Sequence, residues 1–316
     1  MAVGSRSNAA TVGQGSGRRT AAQGGDLSVK VLITGAAGQL GRALLKTAPG
    51  TVEIQAAGRE LDVCVPAALA DAVRSFKPAL IVNAAAYTAV DRAESERDRA
   101  FAVNADGVEN VARAAHAGGA RLIQVSTDFV FDGRKSSPYL PEDEMRPLNV
   151  YGASKAEGEK RLRALAGATA VIVRTGWLYA AKGQNFVNTM LRLMRDKDSL
   201  GVIADQVGTP TWAESLAEVI WKIAGEPKMA GTHHWSDAGV ASWYDFAVAI
   251  QEEALAAGLL SRAIPIRPLA TFEYPLPARR PAYSVLDKRS MMLATGMMPR
   301  HWRVNLRTML GELRNA

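Results

Sequence analysis

Tyr151 and Lys155 stand four residues apart in the run Tyr151-Gly-Ala-Ser-Lys155, a spacing that puts both on one face of a helix, one turn from each other. A phenol with a pKa of about 10 is a poor acid near neutrality. A nearby ammonium favours the phenolate and eases proton exchange with a substrate oxygen. Upstream, Thr127 ends an apolar run and is followed by Asp128. Alone, a threonine there would be a strand-end residue bonding its own backbone. With Tyr151 and Lys155 on the next element, its hydroxyl is a candidate to orient a carbonyl beside the phenol. These three residues suit carbonyl/alcohol chemistry, which needs a hydride carrier nearby.

Gly35-Ala-Ala-Gly38-Gln39-Leu40-Gly41 offers a place for one, because it directly follows Lys30-Val-Leu-Ile-Thr34 and opens a helical pattern. The first glycine permits the tight turn, the second close approach of a pyrophosphate, and the third helix–strand packing. The phosphates would then meet the free N–H groups and positive end of the helix. Where the second strand ends, Ala56-Ala57-Gly58-Arg59 has no acid to take a ribose 2′-hydroxyl; Arg59 could pair with a 2′-phosphate, which favours NADPH over NADH. Asp62 could bond the adenine ring or cap the helical region starting at Pro66. Asn83-Ala84-Ala85-Ala86 ends the third strand with residues small enough for a dinucleotide to lie close, although a plain tight junction would look the same.

The elements that must position these groups alternate in the βαβ manner. Strands are expected at Lys30–Thr34, Val52–Ala57, Leu80–Asn83, Arg121–Ser126 and Ala170–Arg174. Helices are expected at Pro66–Phe76, about Arg97–Ala117 and Tyr151 to about Leu165, with a polar loop from about Asp132 to Asn149. Strands apolar on both sides and separated by helices indicate an α/β fold, a Rossmann-type doubly wound parallel sheet. Beyond Thr175 the rhythm loosens. Helical stretches at about Phe186–Arg195 and Thr211–Ala224 flank Gly201–Ala204, and Pro265, Pro268, Pro275, Pro277 and Pro281 follow. The expected organisation is a tail over 1–28, a dinucleotide-binding domain over 29–175, and a smaller substrate-binding lobe over 176–316, intercalated with the sheet.

Composition narrows the class. The 316 residues are 48% hydrophobic and 22% charged, ordinary for a globular chain with a substantial core. A net charge of +7 gives a mild attraction for anions such as nucleotides. No basic run interleaved with aromatics points to nucleic acid, and no apolar stretch approaches a membrane span. The single cysteine, Cys64, excludes an internal disulfide and a cysteine-based metal site, and a reducing, cytoplasmic home is the simplest. The first 28 residues, rich in Gly, Ser, Ala and Arg, lack the apolar core of a secretory signal; a disordered tail or an over-extended start is expected. His233-His234 are adjacent rather than spaced for a shared metal and are expected to pack as ordinary polar residues.

Together the glycine pattern, Asn83-Ala-Ala and Thr127 with Tyr151-x-x-x-Lys155 resemble the extended short-chain dehydrogenase/reductase superfamily. Within it, the chain is similar to the dTDP-4-dehydrorhamnose reductase family from about Val29 to its end. The motifs that carry this are Gly38-Gln-Leu-Gly41, Asn83-Ala-Ala-Ala-Tyr-Thr-Ala-Val-Asp91, Ser126-Thr-Asp-Phe-Val-Phe-Asp-Gly133, Arg174-Thr-Gly-Trp-Leu-Tyr179, Asp205-Gln-Val-Gly-Thr-Pro-Thr211 and Arg280-Pro-Ala-Tyr-Ser284. The resemblance implies hydride delivery from NAD(P)H to C4 of a nucleotide-linked 4-keto sugar. Tyr151 would be the proton donor, Lys155 the group that bonds the nicotinamide ribose and lowers the phenol pKa, and Thr127 the group that holds the carbonyl oxygen. It also implies a nucleotide-sugar pocket with Thr127, Asp128, Trp177, Gln206, Thr209 and Arg280, the last pairing with the diphosphate. Trp177 would offer an apolar face to the sugar, though a core aromatic would look similar. Phe129 stands where many relatives carry tyrosine. Some members are linked to Mg²⁺ and to homodimers through acidic residues, and no acidic cluster marks such a site here.

Two other readings share the scaffold. A sugar-nucleotide dehydratase needs an acid and a carboxylate base after the threonine, whereas Thr127-Asp128-Phe129 supplies one acid and no glutamate; a 4-epimerase would keep its nicotinamide bound through the cycle. A non-catalytic, nucleotide-binding regulatory subunit would have no need of the proton donor.

Overall fold

A computed structural model describes residues 29–166 and 170–314; the tail expected over 1–28 lies outside them. The first part alternates strand and helix: β1 (Val29–Thr34), α1 (Gln39–Lys46), β2 (Val52–Ala57), α2 (Pro66–Phe76), β3 (Leu80–Asn83), α3 (Val90–Ala93), α4 (Arg97–Phe101), α5 (Gly107–Ala117), β4 (Arg121–Thr127), α6 (Val150–Ala166) and β5 (Val171–Thr175). There follow β6 (Leu178–Tyr179), α7 (Phe186–Asp196), β7 (Leu200–Ile203), β8 (Val207–Gly208), β9 (Thr211–Trp212), α8 (Ala213–Ala224), β10 (Gly231–His234), β11 (Ala241–Ser242), α9 (Trp243–Ala256), β12 (Ile266–Leu269), α10 (Arg289–Thr295) and α11 (Trp302–Arg314).

Six strands form one parallel sheet in the order β10-β5-β4-β3-β1-β2. Successive side chains along a strand point to opposite faces, and both faces are covered. Val31, Ile33 and Val82 pack with Leu40 and Leu44 of α1 and Leu216 and Ile220 of α8. Leu32 and Ile81 turn the other way, onto Leu69 of α2, Val108 and Val111 of α5, and Leu162 of α6. Burial on both sides is why these strands read as continuous apolar runs. The strand order reverses between β1 and β3, and such a switch point leaves a crevice beyond the carboxyl ends of the strands. Thr34, Asn83, Thr127 and Thr175 end their strands at that one edge.

A second core, built from Val187 and Leu191 of α7, Phe246 and Ile250 of α9, and Leu306 and Leu310 of α11, lies in the carboxyl-terminal part. Three short strand pairs, β8–β11, β7–β12 and β6–β9, belong to the same part of the chain. α8 and β10 return to the main sheet, β10 pairing with β5.

The helix expected over Arg97–Ala117 is interrupted: α4 and α5 are joined by a π-helical turn, Ala102–Asp106. Inside it Asn104 is buried, accepts from the N–H of Tyr87 (2.9 Å), and donates to Tyr87 O (3.0 Å) and Ser154 Oγ (2.9 Å). The wide turn turns the Asn104 carbonyl toward α6, an offset that side-chain periodicity does not encode.

α6 is capped by Asn149, whose Oδ1 accepts from Gly152 N–H at 2.7 Å. It lies unusually close to its neighbours: a Cβ at Gly152 would strike the Phe129 carbonyl, and one at Gly158 the Asn104 carbonyl. Both obstacles are backbone and cannot swing aside. Gly158→Ala is therefore expected to destabilise the protein by about 1–3 kcal/mol, read as a lowered midpoint in urea unfolding; an unchanged midpoint would contradict this packing.

Candidate active site

Helix α6 brings Tyr151 and Lys155 to the carboxyl edge of β4. Lys155 is buried and donates from Nζ to the Val125 carbonyl at 2.7 Å, so its ammonium is anchored on the strand that ends in Thr127. The Thr127 hydroxyl donates to Asp128 Oδ1 at 3.0 Å and accepts from Phe129 N–H at 3.2 Å. The Phe129 ring packs edge-on against Tyr151, with centroids 5.8 Å apart. All three residues singled out by spacing thus meet at one place.

The electrostatics differ from the simple expectation that Lys155 lowers the phenol pKa. Burial pushes Tyr151 up to about 12; the Thr127 hydroxyl opposes the rise and the Asp128 carboxylate adds to it. Burial also pulls Lys155 down to about 8, against the pull of Glu159. The phenol therefore holds its proton at neutral pH, the state a proton donor requires. Asp128 is fully buried, and loss of hydration raises it to about 6 despite its bonds to Ser284 and Thr127. Its Oδ2 has no hydrogen-bond partner among the described residues, and it presses on Gly176, where a Cβ would come within 2.6 Å of the carboxyl group.

Gly35 has φ +68°, and a Cβ there would lie 2.5 Å from Ala85 N and 2.7 Å from the Ala84 carbonyl carbon. The fingerprint turn and the Asn83-Ala84-Ala85 junction are thus in direct contact across the switch point. Asn83 ties the floor together: Oδ1 accepts from Thr34 Oγ1 (2.5 Å), and Nδ2 donates to Gln124 Oε1 (2.7 Å). Gly38 is the amino-terminal cap of α1 and offers no side chain to its N–H groups; a glycine in this position leaves them open to an anion. Gly41 sits against the Gly35 carbonyl and Ala36. The Gln39 side chain accepts from Asn185 Nδ2 at 2.8 Å, and Leu40 is in the core, so Leu40 has only its backbone to offer a ligand. Arg59 and Asp62 are exposed on the loop after β2. Asp62 accepts from Cys64 N–H at 2.9 Å, forming a turn, while Val65 caps α2 without a side-chain bond.

Trp177 lies two residues past the end of β5 and carries φ 51°, a left-handed backbone that costs a bulky residue about 1–3 kcal/mol. Its ring is stacked on Trp243 with centroids 3.5 Å apart, and its edge lies against Gly208. The other residues expected in the sugar-nucleotide pocket already have partners. Gln206 donates to Thr271 Oγ1 at 3.0 Å, and Thr209 to the Gly239 carbonyl at 2.9 Å. Arg280 grips Asp91 through two bonds, at 3.0 and 2.7 Å, which holds the Asp91 carboxyl below its usual range.

Spacing alone missed Ser284, buried beside Asp128 and Gly208, although it closes the Arg280–Ser284 run. It also missed Asn104 and Ser154, which fix α6 from behind. His234 is buried, bonding Tyr139 O through Nδ1 (3.1 Å) and facing Arg174 Nη1 through Nε2 (3.3 Å); His233 bonds Ser290 and the Ala230 carbonyl. Among the described residues no group of three or more His, Cys, Asp or Glu could hold a metal, so the expected link to Mg²⁺ finds no site. No helix among them is long and apolar enough to cross a membrane.

Fold and site together make this an NAD(P)H-dependent oxidoreductase on a Rossmann-type sheet. The chain belongs to the RmlD substrate binding domain family, whose model matches residues 29–315. It is 44% identical, over 86% of its length and 95% of the relative's, to the dTDP-4-dehydrorhamnose reductase of Aggregatibacter actinomycetemcomitans. With the Escherichia coli K12 protein of that name it shares 41% identity over 90% of its length and 98% of the relative's. A crystal structure of the Bacillus anthracis reductase in complex with NADP matches at a TM-score of 0.85 and 36% identity, covering 90% of this chain and 99% of that one.

The buried Asp128 gives a pH test of the site. Its folded pKa is raised from 3.8 to about 6, so the folded protein holds this proton more tightly than the unfolded chain. The stabilisation is full below the unfolded value and is lost as pH rises through about 6. Asp128→Asn, with no proton to lose, should gain on wild type between pH 4 and pH 7 by up to about 3 kcal/mol, at about 1.4 kcal/mol per pH unit. A difference in urea stability that does not change with pH would contradict it.

Proposed function

We propose that the protein reduces the C4 ketone of dTDP-4-dehydro-L-rhamnose to dTDP-L-rhamnose with NADPH as reductant. The observation that carries this reading is the meeting of Thr127, Tyr151 and Lys155 at the sheet edge that also holds the Gly35–Ala84–Ala85 contact. The names of the relatives support the substrate, and the NADP bound to the Bacillus anthracis protein supports the cofactor.

The crevice suits a dinucleotide. A side chain at Gly35 would collide with the Ala84–Ala85 backbone and break the close approach of turn and strand end, and the uncapped first turn of α1 presents the N–H groups of Gln39, Leu40 and Gly41 for the pyrophosphate. Asn83, Ala84 and Ala85 would line its floor, and Arg59, free in solvent, would meet the 2′-phosphate that separates NADPH from NADH. When bound, the nicotinamide supplies the hydride. Thr127 would turn its hydroxyl from Asp128 to the ketone oxygen. Tyr151 would then give its proton to that oxygen as negative charge develops; an alkoxide is a stronger base than a phenolate, so the transfer runs downhill even from a raised phenol. Lys155 would bond the nicotinamide ribose and offset the phenolate left behind. Asp128, Ser284 and Trp177 would border the sugar, with Gln206, Thr209 and Arg280 shaping the nucleotide end.

In this reading residues 29–175 serve the carrier and 176–316 the sugar nucleotide. A cytoplasmic location and a homodimer come with the family resemblance and are part of the same proposal.

NADPH oxidation measured with dTDP-4-dehydrorhamnose beside UDP- and GDP-linked ketosugars tests the substrate; consumption only with a differently linked sugar would overturn it. Tyr151→Phe is expected to lower kcat by about 10²–10⁴-fold with little change in NADPH affinity, and undiminished turnover would refute the proton donor. Because Lys155 titrates at about 8, kcat should fall as pH rises through that value, and a flat profile to pH 10 would count against its cationic role.

A further inference from the structure

We propose that Glu159 is a positioning residue for this reaction: one buried carboxylate that fixes the mutual placement of Thr127, Tyr151 and Lys155 by bonding the strands and the helix that carry them. The inference rests on the ketosugar-reductase reading and adds a residue outside the reacting groups.

Glu159 stands four residues beyond Lys155 on α6 and is only 1% exposed, so Tyr151, Lys155 and Glu159 form one stripe along the helix. Its Oε1 accepts from Ser126 Oγ at 2.5 Å and from Arg174 Nε at 2.9 Å. Its Oε2 accepts from Arg174 Nη2 at 2.8 Å and Arg163 Nη2 at 2.6 Å. Ser126 is the residue before Thr127 on β4. Arg174 lies on β5 just ahead of Thr175, Gly176 and Trp177, and its Nη1 donates to the Pro141 carbonyl at 3.0 Å. One carboxylate therefore joins α6, β4 and β5, one helical turn from Lys155 and one residue from Thr127.

A stability role alone does not account for it. A buried ion pair recovers little beyond its own desolvation, and apolar residues of similar volume usually do as well. A fork of directed bonds does what apolar packing does not: it fixes the register and rotation of a helix against two strands.

The charge has a second consequence. The titratable groups around the stripe are Tyr151 and Arg163 on α6, Asp128 after β4, Arg174 on β5 and His234 on β10, with Asp143 and Asp287 acting on His234. Burial leaves His234 neutral. Among these, Glu159 is the anion that holds Lys155 in its ammonium form against burial.

The test uses the full chain and three variants, S126A, E159Q and E159D, assayed by NADPH oxidation with dTDP-4-dehydrorhamnose. Wild type is run alongside; if wild type is inactive on every ketosugar, the reaction is wrong, and E159Q is then judged by the NMR pH titration of 13C-labelled Lys155, an unmoved titration overturning the proposal. S126A keeps the ion pair and cuts only the link to β4; its kcat is expected to fall about 5-fold, the loss of one buried hydrogen bond, with both KM values within about two-fold. E159Q should move the alkaline limb of the kcat–pH profile, and the Lys155 titration, to lower pH. E159D should return both toward wild type while kcat stays low, since the shorter arm restores charge without reach. A lowered melting temperature with unchanged kcat and unchanged pH profile would overturn the proposal and leave Glu159 a structural residue. If E159Q does not fold, an S126A kcat equal to wild type overturns it equally.

Discussion

The site depends on how closely α6 can lie against the end of β4 and the π-helical turn behind it. Two glycines permit that approach, Gly152 at the Phe129 carbonyl and Gly158 at the Asn104 carbonyl. Because both contacts are to backbone, the helix has no slack along either direction. Lys155 then reaches the Val125 carbonyl across the gap, and Tyr151 comes beside Thr127. A helix displaced by the width of a methyl group would leave the phenol too far from a carbonyl held by Thr127, and misplacement on that scale is costly in catalysis.

The parallel sheet supplies the other half of the geometry. All its strands point the same way, so the ends of β1, β3, β4 and β5 form one rim. Asn83 bonds Thr34 on one side and Gln124 on the other, which ties the ends of β1 and β3 to the middle of β4 in register. Burial does the electrostatic work on this rim: it raises Tyr151 and Asp128 and lowers Lys155. The phenol is thereby kept protonated while Lys155, drawn down to about 8, still carries its charge at neutral pH, a balance suited to giving a proton to an alkoxide.

Much of this was legible in the sequence, and for physical reasons. β1 and β3 are apolar runs bounded by turn residues, so their limits follow from burial on both faces. Gly35–Gly41 could be read because a tight turn and a close helix start demand glycine at fixed spacing. Tyr151 and Lys155 could be read because helical periodicity places them. Illegible were the features set by tertiary contact. The π-helical turn at Asn104 keeps the same apolar pattern as an α-helix. The depth of burial that raises the Tyr151 phenol is invisible in spacing. Arg280 carried a motif, yet its partner Asp91 lies far away in the chain. Ser284 and Glu159 are ordinary polar residues until the fold buries them beside Asp128 and Arg174.

In the proposed reaction a hydride carrier on the β1–β3 crevice and a ketone held by Thr127 and Tyr151 react directly. NADPH deuterated at the transferable C4 position, incubated with dTDP-4-dehydro-L-rhamnose and the full-length protein, tests it by mass spectrometry and NMR of the product. Direct transfer puts one deuterium at C4 of the sugar and none elsewhere. Product formed with solvent hydrogen at C4, or a sugar returned as its epimer with the nicotinamide still deuterated, would contradict it.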